Sequence, residues 1–444
     1  MWQISRFTVA QTAIGLTGNH QAICNYSYNI PLTNIKKRMN RILAFITSLT
    51  FYACNAQPAL NSTIEFTSDL ESFESLSGWR ESLKGVEIIA LGENTHGLGE
   101  VFAAKTELVK FLHQELGFDL VLFESGYGDA ALAWEQLDSL STKEFTSVFT
   151  SNFYYRSEEI ESLVSYAKSQ NGELKIQGFD CQPQQDHLIK RMTEIVQPLD
   201  SVLAKSVALE MRSFNNLYQF ENDKDTLSFY KQRDRFIGFL HNYNAFLNKN
   251  INELLKSGTT NNEIRALKKS NEIFIRTYSE IRIGEMMGWP VLANIRDKAL
   301  FEIVKWFKEE NPKSKIIIWA QNSHIENKTK PNDNVNWMGH SLKNTFGDKY
   351  YSMGAIVYSG KNQNYNGTFD FEHKDNDYLA YHLNQFQKEK YVLDLRKHNK
   401  NDFTNEPLLG MENNGSTAEF VAKDRFDGLL FVKYSDVPKL IKKE

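Results

Sequence analysis

Only three cysteines occur in 444 residues, at Cys24, Cys54 and Cys181, which is no basis for a disulfide framework. Positive charge is not in excess either. A net charge of −4 supplies no basic field for nucleic acid or for an anionic membrane surface. Several catalytic signatures are missing: there is no HExxH, no glycine-rich phosphate loop, no dinucleotide fingerprint and no Gly-x-Ser-x-Gly elbow. Zincin, nucleotide-dependent and serine-elbow chemistry therefore have no local motif to rest on. The apolar run Ile42–Ala53 is too short to span a bilayer as a helix.

What remains is the composition of a soluble globular chain, 41% hydrophobic and 24% charged, long enough for two or three domains. Its many aromatics, 30 Phe and 19 Tyr, are read as core and background rather than as a binding cleft.

The first 54 residues read as a targeting segment. Lys36, Lys37, Arg38 and Arg41 precede the apolar run, which closes on Ala53-Cys54. A small residue before cysteine at that point resembles a bacterial lipoprotein signal, whose cysteine becomes the lipidated terminus. Met39 is then the expected start and residues 1–38 an upstream extension. The expected location is the bacterial cell envelope, lipid-anchored or periplasmic, with a cytoplasmic protein as the alternative. The only membrane contact expected is through Cys54.

The most informative stretch is 86–128. An apolar run, Val86–Leu91, ends in Gly92-Glu93-Asn94-Thr95-His96; a helical pattern comes next; a second run, Leu120–Phe123, ends in Glu124. Short apolar runs flanking an amphipathic helix predict a βαβ unit with buried parallel strands. Ligands of such sheets sit beyond the carboxyl ends of the strands, where Glu93, His96 and Glu124 all fall. At about 100° per residue, Leu98, Val101, Phe102, Leu108, Val109, Leu112 and Leu116 share one helix face, and Lys105 lies in its middle. A lysine there either faces an anion at the strand tips or forms a structural ion pair.

Leu174–Phe179 predicts a third strand, which puts Asp180 at another tip. Residues 186–310 then read as almost wholly helical, too much for one crossover. The expected architecture is α/β: a mostly parallel sheet flanked by helices, with a large helical insertion over the strand C-terminal ends. Residues 55–185 and 311–444 supply the two parts of the α/β core and 186–310 the insertion. Arg296 and Asp297 either point back to the site or form a solvated pair.

Lys315–Ala320 predicts a further strand, ending in Gln321-Asn322-Ser323-His324. Set beside Ile88–His96, residues 316–324 match at four of nine positions and end in [Glu/Gln]-Asn-[Thr/Ser]-His. Two strand tips of one design place both histidines in one pocket. Strands are also expected at Tyr351–Tyr358, Tyr391–Leu395 and Gly428–Tyr434, with a mobile loop over Ser359–Asp377. His340 is a candidate site residue in a loop; His373, His382 and His398 have no companions at ligand spacing.

Gly92-Glu93-Asn94-Thr95-His96-Gly97, Phe123-Glu124, Gly178-Phe179-Asp180, Ile295-Arg296-Asp297-Lys298, Trp319-Ala320-Gln321-Asn322-Ser323-His324, Met338-Gly339 and Phe426-Asp427-Gly428 occur in the order seen in the erythromycin esterase family. The chain resembles that family over roughly residues 70–434. The resemblance implies hydrolysis of a macrolactone or other carboxylic ester, with His96 as general base for water, Glu93 assisting it, and Glu124 and His324 in the same pocket. It also marks two departures. The family commonly has histidine at the position of Gln321 and arginine at that of Lys105; lysine keeps the charge but not the bidentate fork, and glutamine hydrogen-bonds but does not titrate.

The expected chemistry is ester hydrolysis by a water that His96 activates. Lys105 and backbone N–H groups around Gly97–Gly99 would meet the oxyanion, and His324 would position substrate or protonate the leaving alkoxide. Asn94, Gln321, Arg296 and His340 are the candidate substrate contacts. No cofactor is expected, and the expected partner is a small ester or lactone bound by a monomer. Two alternatives use the same residues: Glu93, His96, Glu124 and His324 as ligands of zinc or another divalent ion, or a lipid-anchored protein that binds an amphipathic or haem-like ligand.

Overall fold

The computed structural model describes residues 63–65, 74–150, 152–182, 186–213, 226–281, 289–328, 334–364, 367–397, 402–412 and 415–441. They belong to one compact unit, Gln57–Glu444. The expected upstream extension, the signal segment 39–54 with Cys54, and His398 lie outside the described residues.

The strands are β1 (Thr63–Glu65), β2 (Ile88–Leu91), β3 (Leu120–Gly126), β4 (Lys175–Asp180), β5 (Ile316–Trp319), β6 (Tyr350–Asn364), β7 (Gly367–Glu372), β8 (Lys390–Asp394), β9 (Pro407–Met411), β10 (Thr417–Val421) and β11 (Gly428–Ser435). Nine of them form one sheet in the order β1-β8-β11-β6-β2-β5-β3-β4, with β7 paired to β6. The six strands from β11 to β4 run parallel, and β1, β7 and β8 add antiparallel edges. The chain passes from β2 to β3, leaving a gap that β5 fills some two hundred residues later, so the tips of β2, β5, β3 and β4 stand side by side.

Continuous apolar strands bury both faces of the sheet. Ile88, Ala90, Leu122, Ile316 and Ile318 belong to one core, and Ile89, Leu91, Val121, Phe123, Ile317 and Trp319 to the other, as a two-residue repeat requires. The second core takes helix α1 (Gly99–Leu116), closed by Gly117 in the left-handed conformation. The first core takes α2 (Tyr127–Glu135) and the insertion helices α3 (Asp186–Val196), α4 (Ser201–Ser213), α5 (Thr226–Lys249), α6 (Asn261–Glu280) and α7 (Trp289–Glu310). The insertion thus continues the core over one sheet face, and α7 carries Arg296 and Asp297 to the strand tips.

Two expectations change. The stretch read as a mobile loop, Ser359–Asp377, is largely a hairpin: β6 continues to Asn364 and β7 pairs back on it, from Ser359 opposite Glu372 to Asn364 opposite Gly367. Its Asn, Gly and Tyr content hides a ladder held by backbone hydrogen bonds. And β3 does not stop at Glu124. Its register against β4 shifts between Phe123 and Gly126, a bulge that re-aims the side chains there. Gly178 is required opposite it, since a Cβ would stand 2.5 Å from the Ser125 carbonyl oxygen.

Candidate active site

The tip of β2 delivers Glu93 into full burial, where three donors converge on it. Lys105 Nζ lies 2.6 Å from Oε2, and His96 Nδ1 and the Tyr155 hydroxyl lie 2.6 and 2.8 Å from Oε1. Burial opposes ionisation of Glu93, but Lys105 and His96 outweigh it and hold the carboxyl below its ordinary range. Lys105 itself is fully buried, 4.1 Å over the Trp319 ring, and burial pushes it down to about 8 despite Glu93. The lysine in the apolar face of α1 therefore meets the Glu93 carboxylate, an arrangement that both of its sequence readings allow. Its ammonium is engaged by Glu93 and covered by Trp319. The Gly99 N–H expected beside it donates to the Asp436 carbonyl instead.

His96 is half-buried, with its ring edge-on to Tyr155 at 5.3 Å and stacked on Tyr154 at 6.2 Å. With Nδ1 toward Glu93, its Nε2 has no hydrogen-bond partner among the described residues. The loop that carries it is braced by the β6–β7 hairpin. Thr95 Oγ1 contacts Asn362 Oδ1 at 3.4 Å, and a Cβ on Gly97 would stand 2.1 Å from the Gln363 carbonyl oxygen. Gly97→Ala is expected to cost about 1–3 kcal/mol, as other overpacked sites do, measured by urea unfolding; a neutral result would show that the hairpin yields.

A second cluster occupies the tips of β3, β4 and β5. Arg296 Nη2 lies 2.9 Å from Glu124 Oε1 and 2.6 Å from Asp180 Oδ2, and the Gln321 N–H donates to Glu124 Oε2 at 2.9 Å. Arg296 and Asp297 thus point back at the site, and they do not pair with each other. His324 is buried, its Nδ1 2.8 Å from Asp297 Oδ1 and its Nε2 3.3 Å from Glu124 Oε1. Burial works against its charge, yet Asp297 and Glu124 prevail and raise it to about 10. Burial likewise opposes ionisation of Glu124, and His324 and Arg296 hold it well below the usual carboxylate range.

The remaining expected residues divide. Gln321 Nε2 and Asn94 Oδ1 are buried without a hydrogen-bond partner among the described residues. Asn322, which matches Asn94 in the near-repeat, is structural: its amide clamps both the N–H and the carbonyl of Ala355, each at 2.9 Å. His340 is not brought to the site; its ring nitrogens face the Asn327 carbonyl and the Asn344 amide, because it begins a helix that packs beside β6. Sequence reasoning missed Tyr155, which lies in a polar aromatic run with no strand tip to mark it, and gave Asp297 no role.

Among the described residues no three His, Cys, Asp or Glu side chains converge as a metal site. The carboxylates that would ligate one already take Lys105, Tyr155 and Arg296.

The erythromycin esterase family model matches residues 113–435. The chain belongs to that family. Membership places it among hydrolases, and the Glu93–Lys105 segment lies just upstream of the matched span. The "Putative hydrolase YbfO" of Bacillus subtilis (strain 168) is 28% identical, covering 63% of this chain and 67% of its own. The erythromycin esterase type II of Escherichia coli is 22% identical, covering 65% of this chain and 73% of its own. A solved Bacillus cereus protein shares the fold, with a TM-score of 0.66 at 20% identity, over 91% of this chain and 99% of its own.

Proposed function

We propose that this member of the erythromycin esterase family hydrolyses a carboxylic ester or lactone with a water activated by His96. The observation that carries the reading is the Glu93–His96 pair, in which the carboxylate accepts Nδ1–H and leaves Nε2 as the basic nitrogen, without a hydrogen-bond partner among the described residues. Glu93 is itself held by Lys105 and Tyr155, so the base is oriented by groups that do not move with substrate.

Arg296 and the unpartnered amide of Gln321 are proposed to receive the substrate carbonyl as it gains negative charge. An unmet buried polar group costs about 1–3 kcal/mol, which substrate would relieve at Gln321 and at Asn94. His324, charged at neutral pH, is proposed to protonate the departing alkoxide. Macrolactones belong on the substrate panel because of the relatives' names, and Gln321 is the position at which selectivity would differ from theirs. The site is proposed to work at the bacterial envelope, tethered through Cys54.

The test is a panel of macrolides, simpler lactones and alkyl esters, monitored by acid release in a pH-stat before and after dialysis against EDTA. Turnover that survives chelation supports the reading; turnover that disappears and returns with zinc would replace it by metal-assisted hydrolysis. Lys105→Met adds a pH signature. Without the ammonium, burial raises the Glu93 carboxyl, so the acidic limb of kcat/KM is expected to move toward neutral pH. An unmoved limb would remove Glu93 from the mechanism.

A further inference from the structure

The near-repeat in the sequence is also a repeat in space. Strands β2 and β5 pair directly in parallel, Ile88 opposite Ile316 through Leu91 opposite Trp319, and counting on along both chains matches Glu93 with Gln321 and His96 with His324. In the first copy the carboxylate three residues before the histidine takes its Nδ1. In the second copy that position holds an amide, and the carboxylate comes from helix α7 instead, as Asp297.

We propose that Asp297 is the positioning residue that makes His324 the acid of the reaction, so that the pocket holds two histidine–carboxylate dyads with opposite proton duties. This rests on the ester-hydrolysis reading. The two dyads differ in what else their carboxylates meet. Glu93 is neutralised by Lys105, whereas the only ion partner of Asp297 among the described residues is His324. Asp297 Oδ1 also accepts the Met338 N–H at 3.0 Å, which fixes the carboxylate.

The other face of the ring is equipped for both protonation states. Nε2 lies 3.3 Å from Glu124 Oε1 and 3.0 Å from Arg296 Nη1. The imidazolium is ion-paired with Glu124. Once the proton has passed to the leaving oxygen, the bare Nε2 accepts from Arg296 without turning. The charged groups around His324 are Asp297 and Arg296 from α7, Glu124 from β3, and Asp180 from β4 acting through Arg296; Trp337 adds a neutral ring edge at 5.4 Å. In the balanced step, the bond from acyl carbon to alkoxide oxygen breaks as the Nε2 proton moves to that oxygen. The water proton taken by His96 restores the pair over one turnover.

Imidazole ¹H–¹⁵N NMR of the full chain, assigned with His324→Gln, tests the assignment without any substrate. His324 is expected to stay protonated well above neutrality and to titrate roughly 1–3 pH units lower in Asp297→Asn. Asp297→Glu, which keeps a carboxylate, is expected to hold the higher value and covers the case in which the Asn variant fails to fold. Kinetics supply the second readout. Ethyl butyrate needs a proton for its alkoxide and p-nitrophenyl butyrate does not, so Asp297→Asn is expected to lower kcat about 10²-fold on the first and under about 10-fold on the second. Equal losses on both esters, or a wild-type His324 that titrates below neutrality, would overturn the proposal. Failure of the wild type to cleave these two esters and every ester and lactone of the panel counts against the ester-hydrolysis reading instead, and the NMR titration still decides what Asp297 does to His324.

Discussion

His96→Asn is expected to lower kcat by about 10²–10⁴-fold, the range that a lost general base produces, while the fold survives. The reason is where the ring sits. His96 is half-buried at the end of β2, and its protein partners are one carboxylate oxygen and two tyrosine rings. Asparagine keeps a polar group beside Glu93 but has no nitrogen that takes a proton near neutral pH. KM should change little, because the proposed carbonyl contacts come from Arg296 and Gln321. Steady-state kinetics on whichever ester the panel identifies, with a thermal melt alongside, measure both parts. Activity retained at the wild-type level would sink the proposed mechanism.

Arg296→Met is expected to produce the largest loss of stability, about 3–5 kcal/mol, the usual cost of breaking a buried ion pair from one side. Its guanidinium bridges Glu124 and Asp180, both buried, and without it Asp180 loses its charge partner and Glu124 keeps only His324. Glu124 sets the sign of the pH dependence. A carboxyl held far below its ordinary value contributes stability above that value and loses the contribution as pH falls through the depressed one. The variant keeps the His324 share of this contribution and lacks the Arg296 share, so the gap between variant and wild type should narrow as pH falls below the ordinary carboxylate range toward the depressed value. Adding Asp180→Asn to Arg296→Met should recover part of the loss. Urea unfolding at neutral and acidic pH checks all three; a gap that widens in acid would assign Arg296 a packing role instead.

Much of this arrangement was legible in residues 86–128. Apolar runs on either side of an amphipathic helix are a local signal of buried parallel strands, and the residues just past the end of such a strand lie at its tip. Glu93, His96, Glu124 and Gln321–His324 were placed by that rule alone. The lysine in the apolar face of α1 was visible as an anomaly, but whether it met a carboxylate or the oxyanion depended on a distance. Tyr155 gave no signal, since a tyrosine in an aromatic run looks like core until its hydroxyl is found 2.8 Å from Glu93. The β6–β7 hairpin was misread because polar strands lack the alternation that marks a half-buried one.

By itself the sequence determined the α/β class, the strands that carry the site and the residue types at their tips, because hydrophobic periodicity and strand ends are short-range properties. Only the tertiary structure decided the pairings. It seated β5 between β2 and β3, which turned a weak repeat into two adjacent parallel strands whose tips each carry a histidine. It brought α7 across the tips, so that Asp297 took the place a carboxylate at Gln321 would have held. And it set Lys105 under Trp319 against Glu93, where a buried charge is stable only in contact with its opposite.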